Sequence, residues 1–329
     1  MYKRQADGNA NADYGDIGGA ARIGRQTDFF DNNANVALHW NQTSGDWANT
    51  SGWDLLGAAP DAARTAVIGN GIATIDAPAN AEYTFVDWNG RLELDDQLST
   101  DRLLLKRTGV LAVGVGSDGQ KTLDGDLIQT EGNLHITLHG SGANSGLNVT
   151  GLAQLDGNLG IEYGSGYDGP ANRGEVDSHV VLSAAGIIGE FDSIDGAAIS
   201  GDDFEYVGEN GDGEDGLFRK VTTSGGNVSV TTYFAISGDG NGDGVVDASD
   251  FNIWNSNKFQ VGTDWSTGDF NGDNITDASD FNLWNTNKFT GVNLPIPPGN
   301  LVVPEPSGIL LLLAGAVVAS LGRRQSRRK

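Results

Sequence analysis

An internal repeat limits this chain more than any other feature. The run that opens Asp239-Gly-Asn-Gly-Asp returns thirty residues later as Asp269-Phe-Asn-Gly-Asp, and both copies continue through Asp-Ala-Ser-Asp-Phe-Asn to Lys258-Phe259 and Lys288-Phe289. Self-similarity at a fixed offset marks a duplicated supersecondary unit. In each copy the polar residues fall at alternate positions, which a tight loop turns toward one point. Carboxylate and amide oxygens therefore carry whatever chemistry the units have.

Loop one offers Asp239, Asn241, Asp243, Asp247 and Asp250 at positions 1, 3, 5, 9 and 12, with the Val245 carbonyl at position 7. Loop two offers Asp269, Asn271, Asp273, Asp277 and Asp280 with the Ile275 carbonyl. Calcium takes ~6–8 hard oxygens at ~2.3–2.6 Å, so two calcium ions are the expected cofactors, one per loop. Position 6 needs a residue tolerant of positive φ, and Gly244 and Asn274 stand there. Position 12 is Asp where ordinary EF-hands have Glu, and no helix is expected before either loop, which argues against a calmodulin-like sensor. After each loop, Phe251 with Trp254 and Phe281 with Trp284 follow i, i+3 spacing, giving each of two short helices an apolar stripe that can pack on the other.

Over residues 236–291 these features resemble dockerin type I modules, which are paired, EF-hand-like loop-helix units with Asp at position 12 and no entering helix. The resemblance implies that positions 10 and 11, Ala248-Ser249 and Ala278-Ser279, face a cohesin-like or other surface-protein partner. Both copies carry the same pair, so it also implies two binding modes related by a two-fold axis. The chain departs from the family at Asn255-Ser256 and Asn285-Thr286, where a basic pair is frequent. A calcium-stabilised spacer or stalk is therefore the alternative.

Beyond a linker at 292–302, Pro304-Glu305-Pro306 leads into the apolar run Ile309–Leu321 and then into Arg323, Arg324, Arg327, Arg328 and Lys329. The run is shorter than the ~20 residues that span a bilayer comfortably, but small residues and snorkelling arginines accommodate the mismatch. A transmembrane helix is expected here, with its basic end cytoplasmic and residues 1–303 outside. Residues 303–329 resemble the PEP-CTERM sorting signal of exported bacterial proteins. That implies an exosortase-type processing enzyme as a partner and a location at the cell envelope, the surface or the extracellular space. At the other end, Met1–Gln5 reads as an adapter scar from library preparation on a fragment of a longer chain, and residues 1–28 are expected to be disordered.

The net charge is −24, and five of the twenty basic residues lie in the last seven positions. The rest is more acidic still, which repels phosphate backbones, argues against a nucleic-acid partner and attracts divalent cations. With no cysteine, disulfides, thiolate metal sites and a Cys nucleophile are excluded.

Between residues 29 and 235, short apolar segments recur between Gly, Asn and Asp. They include Thr65–Ile68, Ile72–Ile75, Tyr83–Val86, Arg91–Leu94, Arg102–Leu105, Val110–Val113, Asn133–Leu138, Gly146–Val149, Leu152–Leu155, Asn158–Ile161 and His179–Leu182. Many alternate apolar and polar residues, as half-buried strands do. With 49 glycines and no heptads the fold class is mainly β, with a right-handed parallel β-helix or solenoid expected and a β-sandwich as the alternative. The texture is similar to the strand-repeat passenger regions of autotransporter-like proteins. Ser224-Gly225-Gly226 predicts a closing hairpin between Leu217–Thr223 and Asn227–Phe234.

No catalytic motif appears. His135 and His139 lie too far apart on a strand to share a metal. Asp156, Glu162 and Asp168 are candidates for a glycosidase-like carboxylate pair, with no means of choosing among them. The acidic run Asp202–Asp215 reads as a solvated loop. Trp40, Trp47 and Trp53 suit either a cap on the first coil or a sugar-stacking platform. Together these parts describe a non-catalytic exported surface or matrix protein. A polysaccharide-degrading or carbohydrate-binding protein with a glycan partner is the alternative.

Overall fold

The structure, a computed structural model, describes residues 37–54, 58–140, 146–201 and 203–294. The N-terminal segment 1–28, the sorting motif Pro304-Glu305-Pro306 and the apolar run 309–321 lie outside the described residues. Among the described residues no helix is long and apolar enough to cross a membrane. The β region and the twin-loop module belong to one compact unit that ends at Val292.

The fold is mainly β, and among the described residues its main sheet has 17 strands. Ladders whose two strands both precede residue 195 are parallel: Ile72 pairs with Arg91, Arg91 with Val110, Val110 with Asn133, Asn133 with Asn158, and Asn158 with Ser193. The chain between successive rungs supplies strands to a second set of ladders, in which Leu98 pairs with Leu123 and Leu123 with Val149. Parallel pairing needs such crossovers, and here the crossovers are themselves strands.

Alternation along each strand sends every second side chain inward, and the parallel register stacks like on like. The clearest column is Ala73, Leu92, Leu111, Leu134, Leu159 and Ile194, each the register partner of the next and all buried. Burying one such Leu contributes about 2 kcal/mol, and each also roofs the residue below it. At the N-terminal end Trp40, Trp47 and Trp53 pack edge to face, with centroids 5.2 and 5.0 Å from the Trp53 ring. All three are buried in the core, so they cap it and offer no sugar-stacking platform.

Several expected strand pairs are single strands. Thr65–Ile75, Tyr83–Leu94 and Gly146–Leu155 each run through the Gly or Asn residues that predict turns, with register shifts at Ile68/Asn70 and Val149/Leu152. Those residues bend strands without ending them. Gly71 shows why glycine is needed at such a corner: its φ is +75°, and a Cβ there would lie 2.0 Å from the Gln42 carbonyl oxygen of the adjacent strand layer.

After residue 194 the pairing becomes antiparallel. Asp215–Ser224 and Asn227–Phe234 form the closing hairpin around Gly225 and Gly226, both at positive φ, and Val176–Gly189 joins it to the parallel ladders. The acidic run differs from the solvated loop expected of it. Glu205–Glu209 is a strand paired with Asp215–Arg219, because Tyr206, Val207 and Leu217 supply apolar positions between the acids; Asp202 lies outside the described residues.

The module holds helices α1 (Ala248–Asn257) and α2 (Ala278–Asn287), capped by Asp247 and Asp277 in reciprocal capping boxes with Asp250 and Asp280. Its halves mirror each other. The Trp254 indole donates to the Asp277 carbonyl at 2.7 Å and the Trp284 indole to the Asp247 carbonyl at 2.8 Å, while Phe251–Trp284 and Trp254–Phe281 centroids are both 5.0 Å apart. Each loop also pairs with the segment after the other helix, Val261 with Ile275 and Val245 with Gly291.

Candidate metal centre

In loop one the Asp239 carboxylate accepts from the Gly242 N–H at 2.8 Å and the Gly244 N–H at 2.9 Å. Asp250 accepts from Gly240 at 2.9 Å and Asp247 at 2.8 Å. Loop two repeats this: Asp269 accepts from Gly272 at 2.9 Å, and Asp280 from Phe270 at 2.9 Å and Asp277 at 2.7 Å. Asn241 and Asn271 each donate to the neighbouring Asp243 or Asp273 at 2.9 Å. Position 6 takes the left-handed conformation in both loops, at φ +83° for Gly244 and +64° for Asn274. Loop closure thus needs the residue types that stand there.

Positions 1 and 12 are buried, with relative exposures of 0% for Asp239, Asp250 and Asp280 and 1% for Asp269. Asn241, Asp243, Asn271 and Asp273 are exposed at the loop mouths, as are Val245 and Ile275 at position 7. Asp247 and Asp277 are half-buried and hold their helix N-termini through the Ser249 and Ser279 N–H groups, so position 9 is shared between helix capping and any ion. Ala248, Ser249, Ala278 and Ser279 lie exposed on the first turns of α1 and α2.

Buried carboxylates without a cation are costly, because desolvation opposes the charged form and repulsion adds to it. Burial pushes the Asp239 carboxyl up to about 7, against the Tyr233 hydroxyl bond and with Asp250 and Asp243 adding repulsion. Asp250, Asp269 and Asp280 are raised by burial as well. Among the described residues no ion pair engages any of the four. A divalent cation answers this arrangement, and the oxygen-only donor set with its two hard carboxylates in each interior suits calcium over softer metals. No group of three or more His, Asp or Glu among the described residues forms a compact metal cluster.

Loop one also abuts the β region. The Tyr233 hydroxyl donates to Asp239 at 2.8 Å, and the buried Trp265 indole donates to the Asp239 carbonyl at 2.7 Å. The Arg173 guanidinium lies 4.4 Å from the ring centroids of both Trp265 and Phe234 and donates to the Ala235 carbonyl at 3.1 Å. Neither Tyr233 nor Arg173 has a motif around it that would have singled it out. The i−6 offset of Tyr233 from the first loop acid is visible only once the strand Asn227–Phe234 is seen to run directly into the loop.

The other candidates are not brought together. Glu162 meets His135 at 2.6 Å and Arg91 at 3.8 Å, and the His135 bond holds its carboxyl below the usual range. Asp156 is raised by burial and by repulsion from the neighbouring Asp192 and Glu131 carboxylates, and its carboxylate accepts from the Gly157 N–H at 2.7 Å. The Asp168 carbonyl accepts from Gly211 at 3.1 Å. The His139 ring bonds the Gly114 carbonyl at 2.7 Å, apart from His135. One polar cluster had no sequence signal: buried Arg219 pairs with Asp195 and donates to the Tyr163 hydroxyl at 2.8 Å, beside Tyr167, Asp177 and His179. Its groups bond one another, which makes it a clasp between strands.

No family model and no curated protein matches this chain.

Proposed function

We propose that the chain is an exported, cell-surface or extracellular-matrix protein. In this reading the parallel ladders form a right-handed parallel β-helix, the twin loops form a calcium-stabilised dockerin-like module for protein–protein attachment, and the C-terminal residues form a membrane-sorting tail. The parallel pairing favours a β-helix over a sandwich, whose sheets are antiparallel. The observation that carries the proposal is the duplicated pair of buried carboxylates at positions 1 and 12 of two loops with the same hydrogen-bond pattern, none of them in an ion pair among the described residues.

Asp239, Asn241, Asp243, the Val245 carbonyl, Asp247 and Asp250 would hold one ion, and Asp269, Asn271, Asp273, the Ile275 carbonyl, Asp277 and Asp280 the other. The ions would supply the charge that the buried carboxylates lack, and so join each loop to its helix. Attachment would use the exposed first turns, where Ala248-Ser249 and Ala278-Ser279 offer the same surface twice. The test is binding of the chain to cohesin-type domains in calcium and in EDTA. Calcium-dependent binding lost only when Ala248→Arg and Ala278→Arg are combined supports two equivalent faces. No binding at tens of micromolar would remove attachment and leave the spacer reading. Loss of the three tryptophans as a platform leaves the glycan alternative without a specific observation in its favour.

A further inference from the structure

The two loops match in sequence and differ in what stands behind them. Gly242 and Gly244 of loop one are buried, while Gly272 and Asn274 of loop two are exposed. A Cβ on Gly242 would come within 2.4 Å of the Phe218 ring of the β hairpin. Behind Asp239 stands Tyr233, buried in the last strand of that hairpin. Its hydroxyl oxygen accepts from the Ile236 N–H at 3.2 Å, which turns its proton toward Asp239. The residue at the same offset before loop two is Thr263, whose buried hydroxyl has no hydrogen-bond partner among the described residues. Asp269 is held by the Gly272 and Asp273 N–H groups.

A side chain that bonds a ligating carboxylate fixes its orientation, and its removal typically weakens metal binding about 10–100-fold. Energetic coupling between two sites is reciprocal. Resting on the calcium reading above, we propose that Tyr233 is a positioning residue for the ion in loop one, so that filling of loop one and docking of the module on the β hairpin favour each other, while loop two has Thr263 in its place. Trp265 tightens the same joint, because its indole bonds the Asp239 main chain while its ring lies beneath Arg173.

The test is a calorimetric titration of the full chain with calcium alone. Wild type should show two unequal sites. Tyr233→Phe, which keeps the ring, should weaken one site about tenfold and leave the other unchanged. In an Asp269→Asn background the remaining site should carry the whole effect. Tyr167→Phe removes a hydroxyl that bonds Asp177 within the β region and should move neither site. Hydrogen exchange gives a second reading that needs no loop knock-out: calcium should protect amides 227–234 in wild type and fail to do so in Tyr233→Phe, with loop-two protection retained. Equal weakening of both sites, unchanged constants, or wild-type protection in Tyr233→Phe would overturn the coupling while leaving the calcium reading intact. A wild-type chain that neither binds calcium nor gains protection would overturn both.

Discussion

At the scale of single residues, backbone conformation and buried charge make separate demands. At Gly71 an alanine would need φ near +75° and would drive its Cβ into the Gln42 carbonyl. Gly71→Ala should therefore lower unfolding stability by about 1–3 kcal/mol in urea denaturation. His179 is buried and held below its ordinary value near 6.5 by desolvation, with Asp177 opposing the shift. The folded chain then binds fewer protons than the unfolded chain just below that value, so stability should rise with pH through this window and be lost as pH falls below it. His179→Asn should flatten the dependence of the urea midpoint between pH 5 and 7. The buried loop acids were legible in the sequence because alternate positions of a tight loop turn toward one point and because the pattern occurs twice. Arg219 and Asp195 were not, since each is an unremarkable surface-type residue until the hairpin folds against Tyr163.

At the scale of elements, stacking and duplication set the energetics. Leu111 sits in the middle of the inward column, between Leu92 and Leu134. Leu111→Ala should cost about 2–5 kcal/mol, the range for a buried leucine whose cavity relaxes only partly. The pseudo-two-fold of the module makes a sharper prediction. Trp254→Phe and Trp284→Phe each remove one interhelical indole bond and should each lower the module's stability by about 1 kcal/mol. Thermal melts that neither substitution moves would mean that the indole bonds contribute nothing between the two halves. The strand set was legible from alternation, and Val110–Val113 and Asn133–Leu138 fall where the pattern puts them. The merging of neighbours into Thr65–Ile75 and Tyr83–Leu94 was not, because a glycine that bends a strand against a neighbouring backbone leaves the same sequence mark as one that ends it. Gln120–Gln129 escaped for a related reason: Asp124, Gly125 and Asp126 interrupt its apolar positions at a corner.

At the scale of the whole molecule, a stack of parallel rungs ends in an antiparallel hairpin, and the hairpin's last strand runs straight into an acidic loop. That junction placed a strand tyrosine against the first loop acid, and the linear order of segments could not announce it. The acidity of the chain belongs to this scale too, since a strongly negative body raises the local concentration of divalent cations around both loops. With the buried acids as calcium ligands, the two loops set an ion count of two, one per loop. Equilibrium dialysis against radioactive calcium tests this most directly. The account predicts two ions per chain in wild type, one in Asp250→Asn, one in Asp280→Asn and none when both are changed. A wild-type chain that retains no calcium, or a stoichiometry that neither substitution alters, would contradict it.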